Sequence, residues 1–240
     1  MQNAAFRALD MDWTYDLLDV PPEQLSQAIA GLRAQDVAGA NVTIPYKQAV
    51  MDQLDTIAAD ALRARAVNTI VNDGGRLGGY NTDIPAIREA VEQVGVEPRS
   101  ANAVILGAGG AARATAVALE GAHMTFISRH PQDADVPGKV VAWTDSSVAT
   151  LTRSADLLVN ATPLGRQEEM PLRPAALPKA GAVIDLVYVT GGTPLVRKAR
   201  SLGLPAADGW EILLAQGAIS FLLWTGRSAP TEAMRETLQP

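Results

Sequence analysis

From residue 102 onward, short apolar runs alternate with amphipathic stretches at nearly regular intervals. NAVILG, HMTFISR, KVVAW, DLLVNA, GAVIDLVY and LPAAD have the length and composition of strands. Between them, GAARATAVALEG, 145–154 and 193–202 carry helical spacing. Apolar strands separated by helices predict a parallel sheet covered on both faces, so this part of the chain reads as a doubly wound α/β domain.

The N-terminal part is less regular. Met1, Ala5, Phe6 and Leu9 have helical spacing with no capping residue ahead of them, and WTYDLLDV (13–20) alternates like a strand. PPEQLSQAIAGLRAQ starts with prolines suited to a first helical turn and places Leu25, Ala28, Ile29 and Leu32 on one face. A strand ending in NVTI (41–44), helical stretches at 47–54 and 56–66, and a hairpin AVNTIVN-DGG-RLGGYNTD are expected next. A helix at 84–94, with Ile84, Ile87, Val91 and Val94 on one side, runs into the polar, proline-containing VEPRSAN, which marks a domain boundary. Closing helices near 209–226 and 230–239 are expected to return to the first domain. The expected division is 1–94 completed by 217–240, and 95–216.

At 240 residues and 48% hydrophobic, the chain is long enough for two domains with their own cores. Its C-terminal apolar run AISFLLW (218–224) is far shorter than the roughly 18 residues of a membrane span, and no signal segment opens it, so a cytoplasmic location is expected. The absence of cysteine removes disulfides, thiolate metal sites and cysteine nucleophiles, and two histidines leave little for a metal, so none is expected. Catalysis then falls to Lys, Asp, Ser, Thr or Tyr. A net charge of −6 without a basic block argues against nucleic acid and for a small-molecule partner.

VILGAGGAARA (104–114) places Gly107, Gly109 and Ala112 in a G-x-G-x-x-A pattern between a buried strand and a helix. The first glycine permits the tight turn, the second lets the backbone approach a pyrophosphate, and the small alanine allows close packing of helix on strand. A tight turn without a ligand satisfies the same glycines. Ala108, Gly110 and Ala111 complete the candidate phosphate cradle. About 20 residues further on, where an acid would bind the ribose of NAD, the chain has Ser128-Arg129-His130. An arginine there suits the 2′-phosphate of NADP, although a solvated strand end fits too, and Asp133 nearby has the wrong sign. Asn160 and Thr162, in NATPLG, fall at the carboxyl end of a parallel strand, where ligands collect; a proline-ended loop is the plain alternative.

NVTIPYK (41–47), AVNT (66–69), GYNTD (79–83), GAGGAARA, SRH, NATPLG, DLVY, TPL (193–195) and DGWEILLAQGAISFLLWTG occur in the order and approximate spacing of shikimate dehydrogenases, and the chain resembles that family from Met1 onward. The resemblance implies reduction of 3-dehydroshikimate to shikimate with NADPH, on the way to aromatic amino acids. It also implies an N-terminal α/β substrate domain, a Rossmann-like NADP-binding domain and C-terminal helices returning to the first. By motif, Lys47 and Asp83 would be the catalytic pair. Asn41, Thr43, Asn68 and Gln216 would hold substrate hydroxyls, Tyr188 would lie nearby, and Gly209 would approach the nicotinamide. A monomer or homodimer is expected.

The chemistry of those residue types is suitable. Hydride reduction of a ketone leaves an alkoxide that needs a proton, which a lysine can deliver while a carboxylate orients the ammonium. Asn and Thr both donate and accept hydrogen bonds, as a polyol requires. Each residue also has an ordinary role: surface charge for Lys47, a helix cap for Asp83, turn chemistry for Asn41 and Asn68, strand propensity for Thr43, interface packing for Gln216 and Tyr188.

Three features depart from the family pattern. Its first strand and carboxylate-binding Ser-x-Ser precede the helix at which this chain opens, so a further segment of about 20 residues is expected upstream. PQDADVPG follows SRH where a helix with a second basic residue is usual, and Pro85 follows NTD in place of a small residue. Two other readings therefore stand beside the first: a quinate-type dehydrogenase using NAD, and a non-catalytic NADP-binding paralogue.

Overall fold

The structure is a computed structural model that describes residues 1–238. The chain opens with helix α1 (Gln2–Ala8) and continues through α2 (Leu25–Gly31), β1 (Gly39–Asn41), β2 (Thr56–Ile57), α3 (Ala59–Ala64), β3 (Thr69–Asp73) and β4 (Arg76–Tyr80). These strands form one sheet in the order β1-β3-β4-β2. β3 and β4 are the expected hairpin, turning at Gly74 and Gly75, both at positive φ, where a side chain would be strained. Ile70 and Leu77 from the sheet, with Val67 just ahead of β3, pack with Ile29 of α2 and its C-cap Leu32 in a single apolar cluster.

Then follow α4 (Asp83–Gln93), β5 (Asn102–Leu106), α5 (Gly110–Ala118), β6 (His123–Ser128), β7 (Lys139–Ala142), α6 (Asp145–Thr152), β8 (Leu157–Asn160), β9 (Ala182–Asp185), α7 (Pro194–Ser201) and β10 (Ala206–Ala207). All six strands are parallel, in the order β10-β9-β8-β5-β6-β7. From β5 the chain steps outward through β6 and β7, then returns to place β8 on the other side of β5. This is the doubly wound, Rossmann-like topology, and its strand order reverses between β5 and β8. Ile105, Leu106, Leu157, Leu158, Val183 and Ile184 are buried, as continuous apolar runs in a sheet covered on both faces require. The chain ends in α8 (Gly209–Thr225) and α9 (Thr231–Glu236).

The chain divides into two compact units, Met1–Thr82 with the stretch from Leu214, and Asp83–Leu213. This division lies one helix earlier than the 94/95 boundary expected from VEPRSAN. The buried face of α4, Ile84, Ile87 and Val91, packs against α5, and Arg88 Nη2 donates to the Val117 carbonyl at 3.4 Å. The polar composition of 95–100 marks a surface turn, including the short 3-10 helix Pro98–Ser100, rather than the change of unit.

Two N-terminal expectations are corrected. Residues 13–20 form no strand: the backbone of Tyr15 is held by the Asn3 side chain, donating to its Oδ1 at 2.7 Å and accepting from its Nδ2 at 2.9 Å. Leu17 and Leu18 are 94% and 70% exposed, so the alternation there does not separate a buried face from a wet one. Likewise 47–54 and 56–66 are not two helices. Turns over 44–50 lead to a 3-10 turn (Met51–Gln53), β2 pairs parallel with β4, and only Ala59–Ala64 is α-helical.

Candidate active site

In the first unit, β1 pairs antiparallel with β3 and sets Asn41 opposite Thr69. The regular strand stops at Asn41, three residues earlier than the NVTI run suggests. Val42 N–H still donates to the Asn68 carbonyl at 2.8 Å, and Tyr46 N–H closes a turn onto the Thr43 carbonyl at 2.9 Å. The Ile44–Pro45 peptide is cis. Lys47 is half-buried in this run of turns, and its carbonyl accepts from Val67 N–H at 2.7 Å, which anchors its backbone to the segment entering β3.

Around Asn41 lies a dense polar group. Its Nδ2 is 3.1 Å from each of the Asn68 carbonyl, Thr69 Oγ1 and Ser220 Oγ, while its Oδ1 accepts from the Tyr15 hydroxyl at 3.0 Å. Burial raises the pKa of that phenol. Asn68 Oδ1 accepts from Thr82 N–H at 2.7 Å, Thr69 Oγ1 at 3.0 Å and Thr82 Oγ1 at 3.2 Å, leaving its Nδ2 without a protein acceptor among the described residues. Ser220 Oγ is 2.9 Å from Thr69 Oγ1 and 3.2 Å from Thr82 Oγ1, and donates to the Gln216 carbonyl at 2.9 Å. Gln216 Oε1 lies 3.5 Å from Thr82 Oγ1. Thr43 is exposed.

The structure thus brings Asn41, Asn68 and Gln216 into one network. It also adds Thr69, Thr82, Ser220 and Tyr15, which the sequence reading missed. A signal for Ser220 was present: Gln216 and Ser220 are four apart on an otherwise apolar helix and so share a face.

In the second unit, Asp83 is the first residue of α4, inside its first turn rather than ahead of it, where a carboxylate suits the positive end of the helix dipole. Pro85 falls in the same first turn, where its missing N–H is tolerated.

The glycine turn joins β5 to α5. Gly107 has φ +102, and a β-carbon there would lie 3.1 Å from both the Ala161 carbonyl oxygen and Thr162 Cγ2. Gly109 is the N-cap of α5 and has no side-chain cap. A β-carbon on it would meet no atom within 4 Å, so the turn is open where a pyrophosphate would lie against the N–H groups of Gly110 and Ala111. Ala112 is fully buried against the sheet. The residues present therefore fit a dinucleotide phosphate.

Ser128 ends β6 buried and accepts from His130 N–H at 3.1 Å. Arg129 and His130 are exposed beyond it, and the Arg129 guanidinium has no hydrogen bond or ion pair among the described residues. Asp133 accepts from Gln132 at 3.3 Å rather than from Arg129.

Across the point where the strand order reverses, Asn160 closes β8 fully buried. Its Nδ2 donates to the Leu164 carbonyl and to Asp185 Oδ1, each at 2.9 Å, and its Oδ1 accepts from Thr162 Oγ1 at 2.7 Å and Thr162 N–H at 3.1 Å. The Asn160 carboxamide is engaged by the loop, which it shapes, and by Asp185 at the end of β9. Tyr188 is exposed, its ring 5.3 Å from that of Trp210, whose Nε1 donates to the Val189 carbonyl at 2.8 Å. Gly209 begins α8 against the backbone of Val187. Among the described residues no group of three or more metal-ligating side chains exists, and no helix is long and apolar enough to cross a membrane.

Residues 1–70 match the shikimate dehydrogenase substrate binding domain, and residues 209–239 match the shikimate 5′-dehydrogenase C-terminal domain. The chain is 43% identical to the shikimate dehydrogenase (NADP(+)) of Symbiobacterium thermophilum, over 98% of this chain and 86% of that protein. Among solved structures, it is similar to the Thermus thermophilus shikimate 5-dehydrogenase in complex with NADP(H) and shikimate, with TM-score 0.87, 35% identity, and coverage of 99% of this chain and 91% of that one. It is also similar to ligand-free 5-ketofructose reductase of a Gluconobacter strain, with TM-score 0.86, 32% identity, and coverage of 98% and 90%. By sequence and by fold, the chain belongs to the shikimate dehydrogenase family.

Proposed function

We propose that this protein is an NADP-dependent shikimate dehydrogenase, reducing 3-dehydroshikimate reversibly to shikimate. The observation that carries this reading is the open glycine turn at Gly107–Gly110 in a chain 43% identical to an NADP-dependent shikimate dehydrogenase. NADPH, when bound, supplies the hydride. The chain's own residues bind, orient and move the proton.

Lys47 delivers that proton to the nascent alkoxide and withdraws it in the reverse direction, with Asp83 assigned to its orientation. Asn68 presents its unengaged Nδ2, and Thr43 and Gln216 their polar ends, to substrate hydroxyls, while Asn41 serves mainly to hold that group in shape. Tyr188 is a further substrate contact. The uncapped N-terminus of α5 receives the pyrophosphate, and Arg129 the 2′-phosphate. In this reading the enzyme acts in the cytoplasm as a monomer or homodimer, and the domain holding the substrate is the one that contains Met1–Thr82.

A second reading, reduction of a different cyclic or ketose polyol, is favoured by the similarity to 5-ketofructose reductase. Initial rates with shikimate, quinate and 5-ketofructose, each with NADP or NADPH and with NAD or NADH, separate the two. The highest kcat/KM is expected for shikimate with NADP. Absence of turnover with shikimate overturns the first reading.

A further inference from the structure

Asp185 closes β9 with its side chain fully buried. Three donors converge on its carboxylate. Oδ1 accepts from Asn160 Nδ2 at 2.9 Å and from the Val187 N–H at 3.0 Å, and Oδ2 accepts from the Thr193 hydroxyl at 2.6 Å.

The donors belong to three different segments. Asn160 heads the loop after β8 and fixes it through Thr162 and Leu164. Val187 lies on the segment that leaves β9 and carries Tyr188. Thr193 is the N-cap of α7, accepting from Val196 N–H at 3.2 Å. Gly165, at φ +113, supplies the backbone turn by which the first loop lies over the group; a β-carbon there would make only ordinary contacts, 3.5 Å from Thr193 and 3.8 Å from Asp185 Oδ2.

Among the described residues no cation pairs with this carboxylate. The charged side chain whose field reaches it is Asp208, also negative, and burial pushes its pKa up to about 6. A buried carboxylate facing only neutral donors is a poor source of stability, so its value lies in what it holds in place. What it holds is the carboxyl-end rim of β8 and β9, where ligands of a doubly wound sheet collect.

We propose that Asp185 is a positioning residue for the nucleotide: its ionised carboxylate ties the 160–165 loop, the 187–189 segment and the start of α7 into the shape that receives NADP. The inference rests on the NADP reading above. Protonation turns one carboxylate acceptor into an O–H donor facing three donors; only Thr193 Oγ1 has a lone pair to receive it, and the Thr193 hydroxyl proton then loses Asp185 as its acceptor. Asp185→Asn imitates the protonated state, keeping shape while losing charge.

The test is NADP affinity, measured by isothermal titration of the parent and of D185N from pH 5 to 8. Using the ratio of the two dissociation constants cancels the titration of the ligand's own 2′-phosphate. D185N is expected to bind about tenfold more weakly at pH 7.5, with the ratio falling toward one at pH 5. A ratio that does not change with pH, or equal affinities at pH 7.5, overturns the proposal while leaving the NADP reading intact. Failure of the parent to bind NADP overturns both. If D185N does not fold, Thr193→Val removes one donor from the same carboxylate and is expected to weaken NADP binding at pH 7.5; unchanged affinity overturns the proposal.

Discussion

Gly209 and Val187 approach so closely that a β-carbon on the glycine would lie 2.5 Å from the valine carbonyl carbon and 2.6 Å from its oxygen, with Tyr188 N at 2.8 Å. The obstacle is backbone, which cannot turn aside as a side chain would. This packing constrains position 209 whether or not a nicotinamide is bound. Gly209→Ala is expected to destabilise the protein by about 1–3 kcal/mol and lower its melting temperature by roughly 2–10 °C, read by circular dichroism without any ligand. An unchanged melting temperature would leave cofactor approach as the sole reason for the glycine.

The Asn41 carboxamide meets four protein groups, so its loss strands several of them at once. Asn41→Ala is expected to cost about 1–3 kcal/mol of stability in urea unfolding, together with a raised KM for shikimate. Asn41→Asp keeps the size but replaces the donor facing the Asn68 carbonyl with an acceptor, and should be at least as damaging.

Lys47 carries the proton in the proposed reaction. Lys47→Ala is expected to lower kcat by about 10²–10⁴-fold while leaving the dissociation constant of NADP within a few-fold of the parent. Turnover close to the parent's would remove the lysine from the chemistry.

Arg129 is exposed at the end of β6 without a protein partner among the described residues, so its removal should disturb little of the fold. Arg129→Ala is expected to weaken NADP binding by about tenfold and to leave NAD binding unchanged, as measured by titration with each. Equal losses for both would separate Arg129 from the 2′-phosphate.

The buried Asp185 also makes stability depend on pH. Its folded-state pKa, about 6, lies above the ordinary 3.8, so the folded state holds a proton that the unfolded chain has released. The stability linked to this group is fully present below 3.8 and is lost as the pH rises through about 6. The loss amounts to about 3 kcal/mol, and urea unfolding of D185N across pH 4–7.5 should lack that component of the slope.

The second unit was the legible one. Its strands, from Asn102–Leu106 to Ala206–Ala207, and its glycine turn follow from local periodicity and from residues whose conformational needs are specific. The first unit was less so, because residues 13–20 alternate in sequence while Leu17 and Leu18 face water and Tyr15 takes its partner from the Asn3 side chain. Asn41 illustrates the limit for the site. Its residue type announces hydrogen bonding, yet only folding reveals that the partners are Tyr15, Thr69 and Ser220. Asp185 was visible as part of DLVY, but its burial and its three donors depend on segments far apart in the chain.

The contact between the glycine turn and the β8 loop has a genetic consequence. A side chain at 107 would strike both Thr162 Cγ2 and the Ala161 carbonyl, at a φ of +102 that disfavours any residue but glycine. Trimming Thr162 to serine relieves one of these contacts and leaves the carbonyl and the backbone angle as they were. A screen for second-site suppressors of Gly107→Val should therefore return true revertants and no compensating side-chain change at 162.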